Sequence, residues 1–459
     1  MKKIYYINIF FLIINIAAAS GSDDIFTSGK LSVPPLIGKS ELYLAMQKGT
    51  LSLSAGNSRT MGFNGNYLGP TIQVSKGDYV KFNIENKLGE ESTVHWHGLH
   101  VPAEFDGGPH QVIRPGEIWK PEFVINQNAA TLWYHPHLMG KTAEHVYKGL
   151  AGMFIIEDDY SKSLKIPQRY GINDFPVILQ DRRLDRNGAF EYLPRMPDIM
   201  HGYTGNIMLA NGAYKSSLEL GRGTYRFRLL NGSNSSLFRI SFSDSRMFTV
   251  IASDGGFLPE SVKTDSLVMS PGERYEILID FMEKEEISLV TEIAGGDIHE
   301  AVKIKINGTE NEYFTHPETF KYQPVVPDSG QVRRTFRMEN RGMGNFMING
   351  KKMSLKRIDF SLKKNSSEIW TIENAGMGMM MNIPHSFHVH DVQFSVISIN
   401  GRKPGPLYSG PKDTVLVMPG DRVEIALKFQ DYTGIYMYHC HFLEHEDEGM
   451  MGQFEVLER

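Results

Sequence analysis

The segment YHCHFLEHEDEGM, Tyr438 to Met450, places the only cysteine of the chain between two histidines. His445 follows four residues after His441, and Met450 five residues after that. A thiolate, an imidazole on a nearby turn and a thioether are soft donors. With one more histidine from elsewhere they make a trigonal His2Cys copper site with a weak axial methionine. His439 and His441 flank Cys440 too closely to share its metal, and in a strand they face away from it. Such an arrangement wires one copper to a second metal cluster through a few covalent bonds. A buried cysteine in a histidine-rich loop is the plainer alternative.

Ten of the 16 histidines fall into four groups. These are His95 with His97, His135 with His137, the HSFHVH run with His385, His388 and His390, and finally His439, His441 and His445. His-x-His in a strand puts both rings on one face, suited to neighbouring metals. One such pair is a weak signal. Four groups, two near each end of the chain, are a strong one, because so many buried imidazoles without metal would leave nitrogens unpaired.

The elements that must position these groups repeat three times. An Asn-Gly turn recurs at Asn64-Gly65, Asn211-Gly212 and Asn349-Gly350. Each is followed by an alternating strand pattern, Lys76 to Asn86, Gly221 to Asn231 and Lys364 to Asn374, and then by a Pro-Gly turn at Pro115, Pro271 and Pro419. The copies return every 138 to 156 residues. This predicts three related antiparallel β-sandwich domains of Greek-key type, an all-β chain divided at 21–160, 161–320 and 321–459. Pro136 stands where Cys440 does, and Leu150 where Met450 does, so domain one keeps a histidine pair and lacks the thiolate. Domain two runs GSNSSLFRISF after Asn231 and has neither, which marks it as a spacer.

Residues 1–20 read as a secretion signal: Lys2 and Lys3, an apolar run, then Ala17 to Ala19. The run is short and holds Asn8 and Asn15, so a cleaved leader is expected, with no membrane attachment afterwards. The formal charge is −5 and the basic residues are scattered, which speaks against nucleic-acid binding. One cysteine allows no internal disulfide, and a lone thiol in an oxidising compartment needs a metal or burial to protect it.

On these motifs, in order, type and spacing, the sequence resembles the three-domain multicopper oxidases, most of all the bacterial periplasmic copper-efflux and laccase-like group. The resemblance covers nearly all of the chain beyond the leader. It implies three cupredoxin-like domains and four copper ions, one type 1, one type 2 and a type 3 pair. It implies that His385, Cys440 and His445 hold the type 1 copper with Met450 axial, and that His95 and His388 hold the type 2 copper. It assigns His97, His135, His137, His390, His439 and His441 to the type 3 pair. Electrons from a donor at the surface would then pass from Cys440 through its flanking histidines to where dioxygen becomes water. Asp106 and Glu446 match acidic positions that assist proton delivery in that group. From the residues alone, Asp106 also suits an Asp-Gly-Gly turn, and Glu446 a solvated acidic run with Glu444, Asp447 and Glu448.

The chain has 23 methionines. The run GMGMMMN, with Met377, Met379, Met380 and Met381, stands just before His385 and is a landing place for cuprous ion or a piece of core. Met338, Met343, Met347 and Met353 read as core. The long Met- and His-rich insertion of the efflux group is missing, the leader has no twin arginine, and Asp391 stands where that group has glycine. The expectation is a periplasmic, monomeric oxidase of Cu(I), with phenols as side substrates and dioxygen as acceptor. The alternatives are a laccase-like phenol oxidase and, against the full donor set, a non-enzymatic scaffold of the cell-division type.

Overall fold

A computed structural model describes residues 29–458, apart from 39, 54–55, 294–295, 326–330, 343 and 375–382. Residues 1–20, the expected leader, and Met343, Met377 and Met379 to Met381 therefore lie outside the described residues. Strands dominate, as the alternating patterns predict. The helices α1 (Thr142–Tyr147), α2 (Asp159–Ser163), α3 (Met196–His201) and α4 (Leu443–Asp447) are only five or six residues long. None among the described residues is long and apolar enough to cross a membrane.

The repeated turns have a shared physical task. Asn64, Asn211 and Asn349 all sit at φ between 50 and 56°, a left-handed conformation that asparagine tolerates. Each side chain then clamps a neighbouring strand with the same two hydrogen bonds. Asn64 accepts from the Ala45 amide and donates to the Tyr43 carbonyl. Asn211 does so with Ile178 and Pro176, and Asn349 with Arg337 and Thr335. The asparagines that end the second repeated element are equally alike. Asn86, Asn231 and Asn374 each donate to two backbone carbonyls: Glu90 and Ile113, Ser236 and Met269, Ile383 and Val417. In the Pro-Gly turns, Gly116, Gly272 and Gly420 take φ of 82, 87 and 82°, as the second central position of a type II turn requires.

Domain one packs two five-stranded sheets around Leu44, Phe82, Trp96 and Phe154. Domain three does the same around Trp370, Phe387, Tyr436 and Phe454. In domain two the sixteen-residue strand Ser216–Asn231 belongs to both layers, so the strands form one continuous eleven-stranded sheet. Its first half runs parallel to Ile298–Glu310, and its second half lies between Asp174–Arg182 and Arg274–Phe281. Two segments depart from the expected boundaries. Leu31 is buried in the core of domain two, with Lys30 bridging Ser217, although both fall in the range assigned to domain one. Met200, on α3, is buried in the core of domain three. An apolar side chain joins whichever core its backbone pairing brings it to, and boundaries drawn from turn repeats do not record that.

One strand arrangement positions the chemistry twice. In domain one, His95–His97 pairs antiparallel with Ala130–His135, putting His95 opposite His135. In domain three, His385–Val389 pairs with Gly434–Cys440, putting His388 opposite His439 and Phe387 opposite Cys440. The sheet pleat sends Cys440 and His439 to opposite faces.

Candidate metal centre

The cysteine side of the domain-three sheet holds a compact group. Cys440 Sγ lies 3.5 Å from His385 Nδ1 and 3.7 Å from His445 Nδ1, and the two nitrogens are 3.3 Å apart. Met450 is buried in the same core, and its carbonyl accepts from the Cys440 amide. The Phe442 amide donates to the sulfur, and the Phe346 ring stacks on His445 at 3.9 Å. Burial pushes the thiol pKa up to about 12 and lowers that of His385 to about 3. Both imidazoles are thus neutral, and a soft cation would draw the sulfur into its thiolate form.

The other face carries eight histidines, four from each outer domain. They stack across the domain boundary in two pairs, His95 on His390 at 3.8 Å and His97 on His388 at 3.7 Å. Their nitrogens converge in three groups: His95, His97 and His388; His97, His135 and His441; His137, His390 and His439. Burial first, and mutual repulsion second, lower the pKa of His95, His135, His388 and His390, so these rings are neutral. Five of the eight give Nδ1 to a protein oxygen: His95 to the Asp106 carbonyl, His135 to Pro136, His388 to Asp413, His439 to Cys440, and His390 to the Asp106 carboxylate. Their Nε2 lone pairs then point at one another, with His390 and His439 3.2 Å apart. The buried Nε2 atoms of His95, His388 and His441 have no hydrogen-bond partner. Facing lone pairs and orphaned buried nitrogens are costly unless cations sit among them. The donor set therefore fits metal ions, and all-imidazole and His2Cys groups suit copper.

Helix α4 shows how one turn serves four ends at once. The Glu444 carboxylate turns to domain two, accepting from Asn234 at 2.8 Å and from Ser235. His445 turns to Cys440. Glu446 faces the eight histidines, with its oxygens 3.4 Å from His137 Nδ1 and 3.1 Å from His439 Nδ1. Asp447 accepts from the Thr142 and Ala143 amides at the start of α1 in domain one. Glu444 and Glu446 are buried, so neither belongs to a solvated face, whereas Glu448 at the end of the run stays partly exposed. Domain two is correspondingly more than a spacer: its Asn234 and Ser235 occupy the stretch after Asn231 where the sequence shows no metal ligand, and they hold α4.

Asp106 lies on the opposite side of the histidines, with Oδ2 accepting from His390 Nδ1 at 2.7 Å. Burial, reinforced by Asp391, raises its pKa well above the ordinary carboxylate range. Burial acts the same way on Glu446, but His137 and His439 outweigh it and hold that carboxyl ionised. The turn itself depends on Gly107. Its φ is +79°, and a Cβ there would lie 1.7 Å from the Val94 carbonyl oxygen. Asp391 also adopts a left-handed backbone, φ 74°, which explains how it can stand where glycine is usual. Met338, Met347 and Met353 are buried, as core methionines should be.

Sequence reasoning missed His100, which bridges the outer domains. Its Nδ1 donates to Asp391 at 2.7 Å, its Nε2 donates to Asp431 at 3.1 Å, and Tyr432 packs on its ring. Burial would lower its pKa, but the two carboxylates outweigh that and lift it to about 9. A folded-state pKa raised from 6.5 means that the stabilisation is complete below pH 6.5 and is lost as pH rises to about 9. Urea unfolding across this window should show a loss on the order of 1–3 kcal/mol, and His100→Gln should flatten it. An equal slope in the variant would contradict the assignment.

Comparison with known proteins agrees with this geometry. Multicopper oxidase family models match residues 45–161, 200–304 and 322–459. The chain belongs to the multicopper oxidase family. As a multicopper oxidase it is an oxidoreductase with copper cofactors that takes electrons from a reducing substrate and passes them to dioxygen. It is 41% identical over 417 residues to the multicopper oxidase mco of Staphylococcus aureus, covering 90% of this chain and 88% of that one. It is 36% identical over 446 residues to the cell division protein FtsP of Xenorhabdus nematophila, covering 93% and 92%. Among solved structures it resembles the laccase-like multicopper oxidase CueO from an Ochrobactrum species, with a TM-score of 0.87 and 36% identity. That match covers 93% of this chain and all of the other. The cupredoxin-like architecture of the three domains follows from these relatives.

Proposed function

We propose that this multicopper oxidase carries four coppers and oxidises Cu(I) to Cu(II) in the periplasm, contributing to copper tolerance, with phenols as side substrates. His385, Cys440 and His445, with Met450, would hold the electron-accepting copper. His95 and His388 would hold a single copper, and His97, His135, His441, His137, His390 and His439 a pair. Bound copper supplies one-electron redox chemistry at both places. The protein's part is to keep the two groups joined through the adjoining residues His439, Cys440 and His441, to exclude water by burial, and to hold protons at Asp106. Glu446, ionised between His137 and His439, accepts and returns them. All donors come from one chain, which supports a monomer.

The observation that carries the cuprous reading is the position of the methionines. Met381 stands four residues before His385, so in the sequence thioethers that favour Cu(I) closely precede a residue of the group that would accept the electron. The laccase-like relative, whose reported activity is towards lignin model compounds and lignosulfonate, favours the phenol reading instead. Oxygen uptake by the copper-loaded protein with Cu(I) and with a phenol separates them. Changing Met379, Met380 and Met381 to Ser should lower Cu(I) oxidation several-fold more than phenol oxidation. Equal losses on both donors would count against the cuprous role. Export through residues 1–20 is tested by the N-terminus of the mature protein.

A further inference from the structure

One of the eight histidines is turned the opposite way, and the groups that turn it come from the other two domains. His97 gives its Nε2, not its Nδ1, to protein oxygens: Asp413 Oδ1 at 3.0 Å and Thr414 Oγ1 at 3.1 Å. Its Nδ1 is thereby left facing the cluster, 3.3 Å from His135 Nε2. Asp413 is itself clamped. Arg274, from domain two, donates Nη1 to Oδ1 at 2.7 Å and Nη2 to Oδ2 at 2.6 Å, a paired arrangement that fixes both position and orientation. The remaining donors of Arg274 reach the carbonyls of Thr131, Gly272 and Asp254. His97, Arg274 and Asp413 are all fully buried. The space around the clamp is closed as well. Gly98 has φ +86°, and a Cβ there would meet Asp413 Oδ2 at 2.5 Å and Arg274 Nη2 at 2.9 Å.

We propose that Arg274 and Asp413 are positioning residues that hold His97 as its Nε2–H tautomer, so that it offers Nδ1 to the copper pair. The cluster between domains one and three then requires domain two to be docked. A ligand held by an outer carboxylate loses both its tautomer and its ring orientation when that carboxylate goes. A flipped or rotated His97 would present the wrong nitrogen. This inference rests on His97 being a copper ligand, and its test separates the two ideas.

The test uses the full-length protein, both copper-free and copper-loaded, as wild type, Asp413→Ala and Asp413→Asn. In the copper-free wild type labelled with 15N-histidine, long-range proton–nitrogen spectra should show His97 as the Nε2–H tautomer. In Asp413→Ala that signature should shift towards Nδ1–H. After loading, the alanine variant should keep the blue absorption of the cysteine site. Its hold on the type 3 coppers should weaken about 10–100-fold in a chelator challenge. The asparagine variant, which keeps the size and one acceptor oxygen, should show a smaller loss in the same direction and covers the case in which the alanine variant does not fold. An unchanged His97 tautomer, or unchanged retention of the type 3 pair in a folded variant, overturns the clamp. A wild type that shows the expected tautomer but takes up no copper overturns the four-copper reading and leaves the clamp standing.

Discussion

Cys440→Ser should abolish the blue absorption and reduce substrate oxidation below detection, while the coppers held by the eight histidines remain. The sulfur is the one soft anionic donor in its group, 3.5 and 3.7 Å from the two imidazole nitrogens. A serine hydroxyl is a hard, neutral donor and does not reproduce a thiolate bond. Cys440 also adjoins His439 and His441, whose rings lie in two separate three-histidine groups, His137 with His390 and His97 with His135. Removing the sulfur cuts the covalent connection at its outer end and leaves the inner end intact. The expected preparation is colourless, inactive towards both Cu(I) and phenols, and retains about three coppers. Optical spectra with metal analysis check this; a variant that stays blue would refute the assignment.

Replacing Asp106 with Asn, or Glu446 with Gln, should lower kcat by about 10²–10⁴ at neutral pH with little change in colour or copper content. Reducing dioxygen to water consumes a proton for every electron, and both carboxyls lie directly against the histidine groups. The two carboxyls stand on opposite sides of the same three imidazoles, Asp106 on His390 and Glu446 between His137 and His439. Their environments push their pKa values apart, up for Asp106 and down for Glu446. Such a pair divides into proton holder and proton acceptor. Neither amide substitution alters volume, so packing should survive. Oxygen-uptake kinetics with a solvent isotope effect provide the measurement. An unchanged kcat in both variants would reduce these residues to structural partners.

The repeats made the three-domain β architecture legible, because the Asn-Gly and Pro-Gly turns depend on local backbone chemistry that a sequence displays directly. The histidine groups were legible for a related reason: strand periodicity fixes which of His439, Cys440 and His441 share a face. What stayed hidden depends on contacts between domains. Nothing in the sequence links Arg274 to Asp413 and His97, since each lies in a different domain. From the sequence, Glu446 reads either as a proton-delivery group, by resemblance, or as part of a solvated acidic run, because charge in sequence does not reveal that α4 is packed among all three domains. His100 carries no sequence signal, since its carboxylates, Asp391 and Asp431, are distant in the chain. Domain two, without metal ligands, reveals its task only through Asn234, Ser235 and Arg274 in place.

The most direct test of the account is a copper count with optical and electron spin-resonance spectra on the purified, copper-loaded chain. About four coppers per chain, an intense blue band, and a spin signal from only about half of the metal are expected, the coupled pair being silent. A protein with no blue band, or with well under about three coppers per chain after loading, would contradict it.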